Sequence, residues 1–207
     1  MALLLDQEAE HAPIEALFTV DEETGLTGAF NLGEGMLTGK YLLNLDSEDE
    51  GEIFIGCAGG IDTLATFTIS LEPAPKNYEF YRFDVSDLVG GHSGDDINKG
   101  RANSNKITAR LLLEAQQAFD GRMSYFDGGN LRNAIAREAE AVIVLPIWFK
   151  ENVRVMFNHY VATIESEISD VEKDFAMSLE TTDMPAFLIP QEQSERLIQA
   201  LYACPHG

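Results

Sequence analysis

Cysteine is nearly absent from this 207-residue chain: Cys57 and Cys204 are the only two, and they stand in no Cys-x-x-Cys or Cys/His grouping. That excludes a thiolate metal cluster or a dithiol redox motif. It suits a reduced, cytoplasmic protein, with one disulfide as the remaining alternative. Basic residues are scarce as well, 14 Lys and Arg against 35 Asp and Glu, for a formal net charge of −21. A field of that sign repels phosphate backbones and anionic membranes, so neither nucleic acid nor a membrane is expected as a partner. Long apolar runs are missing too. Met1-Ala2-Leu3-Leu4-Leu5 looks briefly like a leader, but it has no positive flank and stops at Asp6-Gln7-Glu8. It is too short for a signal peptide or a span and reads as the last turns of an amphipathic helix. A chain that begins in mid-helix reads as a piece of a longer one.

What is present is enough hydrophobic sequence for a sizeable core, 45% of residues, and one stretch of unusual glycine density. Gly90-Gly91-His92-Ser93-Gly94-Asp95-Asp96-Ile97-Asn98-Lys99-Gly100-Arg101 places four glycines around a histidine, between a strand-like run and a helical one. Glycine at that density permits sharp turns and close approach to another molecule. A loop histidine there can donate a hydrogen bond or a proton near neutral pH; the plainer alternative is a flexible connector. Asp95, Asp96 and Asn98 lack the spacing and closing glutamate of a calcium loop and read as loop caps.

In the first sixty residues, two apolar runs of buried-strand type, Pro13 to Val20 and Tyr41 to Leu45, are separated by a crossover of about twenty residues, which is the pattern of a parallel unit. Each run ends in carboxylates: Asp21-Glu22-Glu23 after the first, Asp46 after the second. In an open α/β sheet that edge is where ligands and metals bind. Glu23 and Asp46 suit a hard or borderline divalent cation, and Glu22 suits a general base acting on a water. The alternative is an acidic turn on a solvated surface.

Several motifs in this region narrow the choice. Thr19-Val20-Asp21-Glu22-Glu23-Thr24-Gly25-Leu26-Thr27-Gly28-Ala29-Phe30, Asn44-Leu45-Asp46-Ser47-Glu48 and Glu52-Ile53-Phe54-Ile55-Gly56-Cys57-Ala58-Gly59-Gly60 strongly resemble the matching segments of aminoacyl-histidine dipeptidases (peptidase D). These belong to the co-catalytic zinc carboxypeptidase and aminoacylase group. The resemblance implies Glu22 as general base, Glu23 as a ligand of one metal and Asp46 as a ligand of the other. It implies two divalent ions, zinc first, with manganese or cobalt as alternatives.

The second part of the chain changes pattern. Thr66 to Leu71 and Tyr78 to Val85 alternate as a hairpin around Pro73 to Asn77, and Asn103 to Phe119 carries Ile107, Leu111, Ala115 and Ala118 at helical spacing. Met123 to Phe126, Ala139 to Leu145 and Phe175 to Leu179 read as strands; Phe149 to Ile168 and Gln191 to Ala203 read as helices. The fold class expected is α/β (α+β). Residues 1–57 form a partial parallel segment of a catalytic domain, and residues 58–207 a ferredoxin-like lid with an antiparallel sheet under two helices.

Here too the motifs carry the resemblance: Leu88-Val89-Gly90-Gly91-His92-Ser93-Gly94, Arg101-Ala102-Asn103-Ser104-Asn105-Lys106 and Gly128-Gly129-Asn130-Leu131-Arg132-Asn133-Ala134-Ile135 are similar to the lid, or dimerisation, domain of the same dipeptidases. By that likeness His92 polarises the scissile carbonyl, often from the neighbouring subunit, and Asn133 contacts the substrate. An imidazolium and an amide are both donors suited to a developing oxyanion or a carboxylate. Arg132 is a further substrate-binding candidate, able to grip a terminal carboxylate or to pair with surface acids. One position departs from the pattern: proline is usual after Asn-Ala-Ile, and this chain has Ala136, which predicts a less firmly placed Asn133.

The His-x-Asp motif, the bridging aspartate and the final histidine ligand of the group are not found in these 207 residues. The resemblance therefore implies part of a metal-dependent dipeptidase cleaving dipeptides of the Xaa-His type, as a homodimer through the lid. The isolated chain is expected to be inactive and to bind metal weakly. A related aminoacylase or carboxypeptidase-type hydrolase, or a non-catalytic dimerisation module, is the alternative.

Overall fold

The computed structural model describes residues 8, 10–46, 50–57, 59–183 and 187–206. The amphipathic helix expected over Met1 to Leu5 lies outside them. Two compact units are resolved, Met1–Gly60 and Ile61–Gly207.

The described part of the first unit contains two single-turn helices, α1 (Glu22–Gly25) and α2 (Thr27–Phe30). Asp21 and Leu26 bracket α1 in left-handed backbone, at φ 59° and 55°. The turn is held by Thr27, whose hydroxyl donates to Asp21 Oδ2 at 2.6 Å, and by the Gly28 N–H, which donates to the Val20 carbonyl at 3.1 Å. A Cβ at Gly28 would stand 2.5 Å from the Val20 nitrogen, so only glycine admits this approach. Glu15 fastens a second turn. It accepts from the Thr38 hydroxyl and from the N–H groups of Thr38 and Gly39, bonds that hold its carboxyl below the ordinary value.

The two runs read as parallel strands are not strands here. Neither Pro13 to Val20 nor Tyr41 to Leu45 has a ladder partner among the described residues, and Tyr41, Leu42, Leu43 and Leu45 are 80–92% exposed. Apolar, β-branched composition supplies the preference for a strand but not the neighbour that completes its hydrogen bonds.

The second unit is built on a four-stranded antiparallel sheet. Its strands are β2 (Tyr78–Ser86), β4 (Arg122–Gly128), β6 (Ala139–Pro146) and β7 (Ala176–Thr181), in the order β4-β6-β2-β7. With α3 (Ser104–Phe119) between β2 and β4, and α4 (Lys150–Ile168) between β6 and β7, this is the split βαββαβ, ferredoxin-like topology expected from the sequence. Strand β2 alternates as a half-buried strand should. Tyr81, Phe83 and Val85 are buried, while Arg82 between them is exposed. Phe83, Val85 and Leu88 pack with Ile107 and Leu111 of α3 and with Tyr160 and Ile164 of α4. The Tyr160 hydroxyl donates to the Ile107 carbonyl at 2.6 Å, tying the two helices together, and burial raises its pKa.

Helix α3 starts where Asn103 caps it, its side-chain oxygen accepting from the Asn105 N–H at 2.9 Å. Helix α5 (Gln191–Ala203) packs on α3 and β4, and the buried Ser194 hydroxyl accepts from the Met123 N–H at 2.8 Å. The hairpin expected between Thr66 to Leu71 and Tyr78 to Val85 does not form. Instead, β1 (Glu72–Pro73) pairs with β8 (Phe187–Leu188). Arg122, 6% exposed, anchors this ribbon by donating to the Ile189 carbonyl and to Glu72. Beneath it Phe80, Val144 and Leu188 make a small third core.

A last two-residue ladder matters most for the site. β3 (Gly91–His92) runs antiparallel to β5 (Ala134–Ile135), with Gly91 opposite Ile135 and His92 opposite Ala134.

Candidate functional site

The β3–β5 ladder joins the two motifs that lie some forty residues apart in sequence. His92 faces Ala134 across it, and the Ser93 N–H donates to the Asn133 carbonyl at 2.9 Å. His92 and Asn133 are thereby neighbours on one ribbon, with both side chains exposed. Beside the ribbon lies a cleft of about 630 Å³ whose walls include Gly91, Gly128, Asn130, Leu131, Ala134 and Arg137.

The histidine is held by its own loop. Its Nδ1 accepts from the Gly94 N–H at 3.1 Å and the Asp95 N–H at 3.3 Å, which places the proton of the neutral ring on Nε2. Asp95 Oδ2 lies 3.7 Å from Nδ1. The His92 N–H donates to Asp96 Oδ2 at 2.8 Å. Asp96 also binds Lys99 Nζ at 2.6 Å and Arg101 Nη1 at 3.0 Å. These bonds, the Lys99 hydrogen bond foremost, hold the Asp96 carboxyl below its ordinary value. The loop-cap role expected for Asp96 is thus what the geometry contains.

Like Gly90, whose φ is +66° and whose Cβ would stand 2.3 Å from Arg137 Cγ, Gly91 is a position in the loop where glycine is dictated twice. Its φ is +146°, and a Cβ would fall within the Asp96 carboxylate and the Arg101 guanidinium. At the other end of the ribbon, the substitution of proline by Ala136 does not leave the backbone loose. The Ala136 carbonyl accepts from the Ser104 N–H at 3.0 Å, and its side chain is buried. A tertiary hydrogen bond here does what a fixed φ would do.

Arg132 stands next to Asn133, and its Nη1 is 2.6 Å from Asp62 Oδ2, both side chains well exposed. Such a pair contributes at most about 1 kcal/mol, and a substrate carboxylate would have to displace Asp62.

Glu22, Glu23 and Asp46 belong to the first unit. Glu22 and Glu23 form the opening turn of α1, and Asp46 follows Asn44, whose side-chain oxygen accepts from the Asp46 N–H at 3.2 Å. All three are exposed. Among the described residues no group of three or more His, Cys, Asp or Glu is placed to hold a metal ion. Two carboxylates alone do not fit zinc, which takes about four donors including nitrogen or sulfur, so the described residues do not by themselves build the centre. Sequence reasoning also missed one residue at the loop altogether, the buried Glu172. No local motif marks it, because its partners lie 70 and 83 positions away.

No protein-family model matches the chain. It is, however, 36% identical over all 207 residues to the cytosol non-specific dipeptidase of Escherichia coli (strain K12), spanning 43% of that relative. Among solved structures, the aminoacylhistidine dipeptidase from Vibrio alginolyticus is 43% identical and superposes with a TM-score of 0.83, covering 100% of this chain and 42% of the other. The resemblance to aminoacyl-histidine dipeptidases carried by the motifs therefore holds over this chain's full length, which is under half the length of either relative.

Proposed function

We propose that this polypeptide supplies part of a metal-dependent dipeptidase that hydrolyses dipeptides, including those ending in histidine. The observation that carries the reading is the full-length similarity to two dipeptidases. The pairing of the His92 and Asn133 motifs on one ribbon supports it. In this reading Glu22 takes the proton of the attacking water and passes it to the leaving amine. His92 donates from Nε2 to the carbonyl oxygen as negative charge develops there, and the Asn133 amide positions the substrate. Arg132 aids binding only if it exchanges Asp62 for the substrate carboxylate. Glu23 and Asp46 contribute oxygen donors toward two divalent ions, with zinc, manganese and cobalt as the candidates. The remaining donors must come from outside the set described here.

The direct test is a chimera in which this chain replaces its matching segment of the Escherichia coli relative. The chimera is expected to hydrolyse dipeptides, to lose activity on chelation and to regain it with zinc. His92→Ala should lower its kcat about 10²–10³-fold, the usual cost of one oxyanion donor. A folded chimera without hydrolysis, or one indifferent to His92→Ala, would refute the assignment.

Residues 58–207 are further read as a lid that associates with a second copy, in a cytoplasmic enzyme. Among the described residues, no helix is long and apolar enough to cross a membrane. Sedimentation equilibrium is expected to give a dimer that survives deletion of residues 1–57; a dimer lost with that deletion would rule the lid out as its source.

A further inference from the structure

We infer that Glu172 is a positioning residue for His92, a buried carboxylate clamp that closes the ends of the histidine loop; the functional half of this statement rests on the dipeptidase reading above. Glu172 lies in the connection between α4 and β7 and is 1% exposed. Its two oxygens are divided between two backbone segments. Oε2 accepts from the Val89 N–H at 2.7 Å, and Oε1 from the Ala102 N–H at 2.9 Å. Val89 and Ala102 are the residues immediately outside the Gly90–Arg101 loop, one on each side. Glu172 therefore spans the two ends of that loop from outside it, while Arg101 Nη1 joins them from within by donating to the Gly90 carbonyl.

The clamp is itself held. The Glu172 N–H donates to the Ile168 carbonyl at 2.9 Å, so the turn closing α4 presents the side chain. On one side Val89 follows Leu88, which is fully buried against α3 and α4; on the other, Ala102 precedes the Asn103 cap of α3. The loop is thus fastened at its base to both helices, while its tip is organised by Asp96.

A buried carboxylate is costly unless its oxygens are satisfied, and two backbone donors satisfy both. Glycines cannot hold a loop geometry through their own side chains. With φ of +66° at Gly90 and +146° at Gly91 immediately after Val89, the direction in which His92 leaves β2 depends on what pins its flanks. Glutamine is nearly isosteric at position 172 but has only one acceptor oxygen. Its amide group would turn a donor toward a donor, leaving one N–H buried without a partner.

The test begins with the chain itself and requires no activity. In Glu172→Gln, amide exchange at Val89 or Ala102 should quicken at least tenfold, and the His92 ring resonances should move, while the amides of β2 and β6 keep their protection. If Gln does not fold, Glu172→Asp keeps the charge but shortens the reach by one methylene. It is expected to free one of the two amides and likewise to move the His92 signals. Wild-type His92 resonances in either folded variant would overturn the clamp and leave Glu172 as packing. In the active chimera, Glu172→Gln should lower kcat about 10–100-fold with KM nearly unchanged, as for a misplaced catalytic group; loss confined to KM would contradict positioning. A chimera inactive before any substitution at 172 counts against the dipeptidase reading, whereas the resonance and exchange results still decide the clamp.

Discussion

Phe83→Ala is expected to lower the unfolding free energy of the second unit by about 3–5 kcal/mol, the cost of removing a ring from a core that cannot collapse around the void. Phe83 is fully buried near the middle of the central strand β2, flanked in register by Ala141 on β6 and Leu179 on β7. Its ring meets Phe157 of α4 edge-to-face, with centroids 5.8 Å apart and planes at 75°, an arrangement that adds about 0.5–1.5 kcal/mol beyond burial. Both sheet neighbours are held by backbone ladders, so neither can move in to fill the space. Urea unfolding followed by circular dichroism should show a fall in midpoint at unchanged slope. Phe83→Leu should cost less, because it keeps most of the apolar volume. A loss below about 1 kcal/mol for Phe83→Ala would mean that the sheet–helix contact at this residue is not the centre of the core.

This core was the most legible part of the chain. The period-2 alternation of Tyr81, Phe83 and Val85, and the helical spacing of Ile107, Leu111 and Ala115, each place their residues on the face that is buried. Helix α5 occupies the range read for it, Gln191 to Ala203, because Pro190 fixes its start. The failures share one cause: pairing across long separations. Glu72 and Pro73 pair with Phe187 and Leu188, more than a hundred positions away, rather than with the nearby run after Asn77. Thr66 to Leu71 alternates as convincingly as β2 does, but β2 already has β6 and β7 on its two edges, and no ladder position is left. Composition can describe a strand; it cannot say whether an edge is free.

The candidate site is drawn from motifs more than from physics. Gly90-Gly91-His92 stands out by its glycine density and Asn133-Ala134-Ile135 only by its likeness, and nothing in either segment says that they pair with each other. The residues that hold them are quieter still. Asp96 sits four positions from His92 and was readable as a loop cap; Glu172 is one acid among 35 in sequence and becomes singular only through burial. In a chain with this much negative charge, the spacing of carboxylates carries little information, and their surroundings carry most of it.

That lesson bears on Glu22, whose substitution carries the largest expected effect on rate. In the active chimera Glu22→Gln should lower kcat by about 10²–10⁴-fold, the range for loss of a positioned general base, with KM nearly unchanged. Glu22 and Glu23 share one turn, and both are exposed, so burial does not single either out. The backbone is more informative. Two non-glycine residues in left-handed conformation, Asp21 and Leu26, enclose the four residues of α1. For a residue such as Leu26 that conformation costs on the order of 1 kcal/mol. A strained turn of this kind must be held by its surroundings, and the first helical residue after its left-handed start is Glu22. Glutamine preserves volume and helix propensity there, so circular dichroism should be unchanged while the rate collapses. Retention of more than about a tenth of the activity would mean that the proton is taken elsewhere and that the strained turn serves the fold alone.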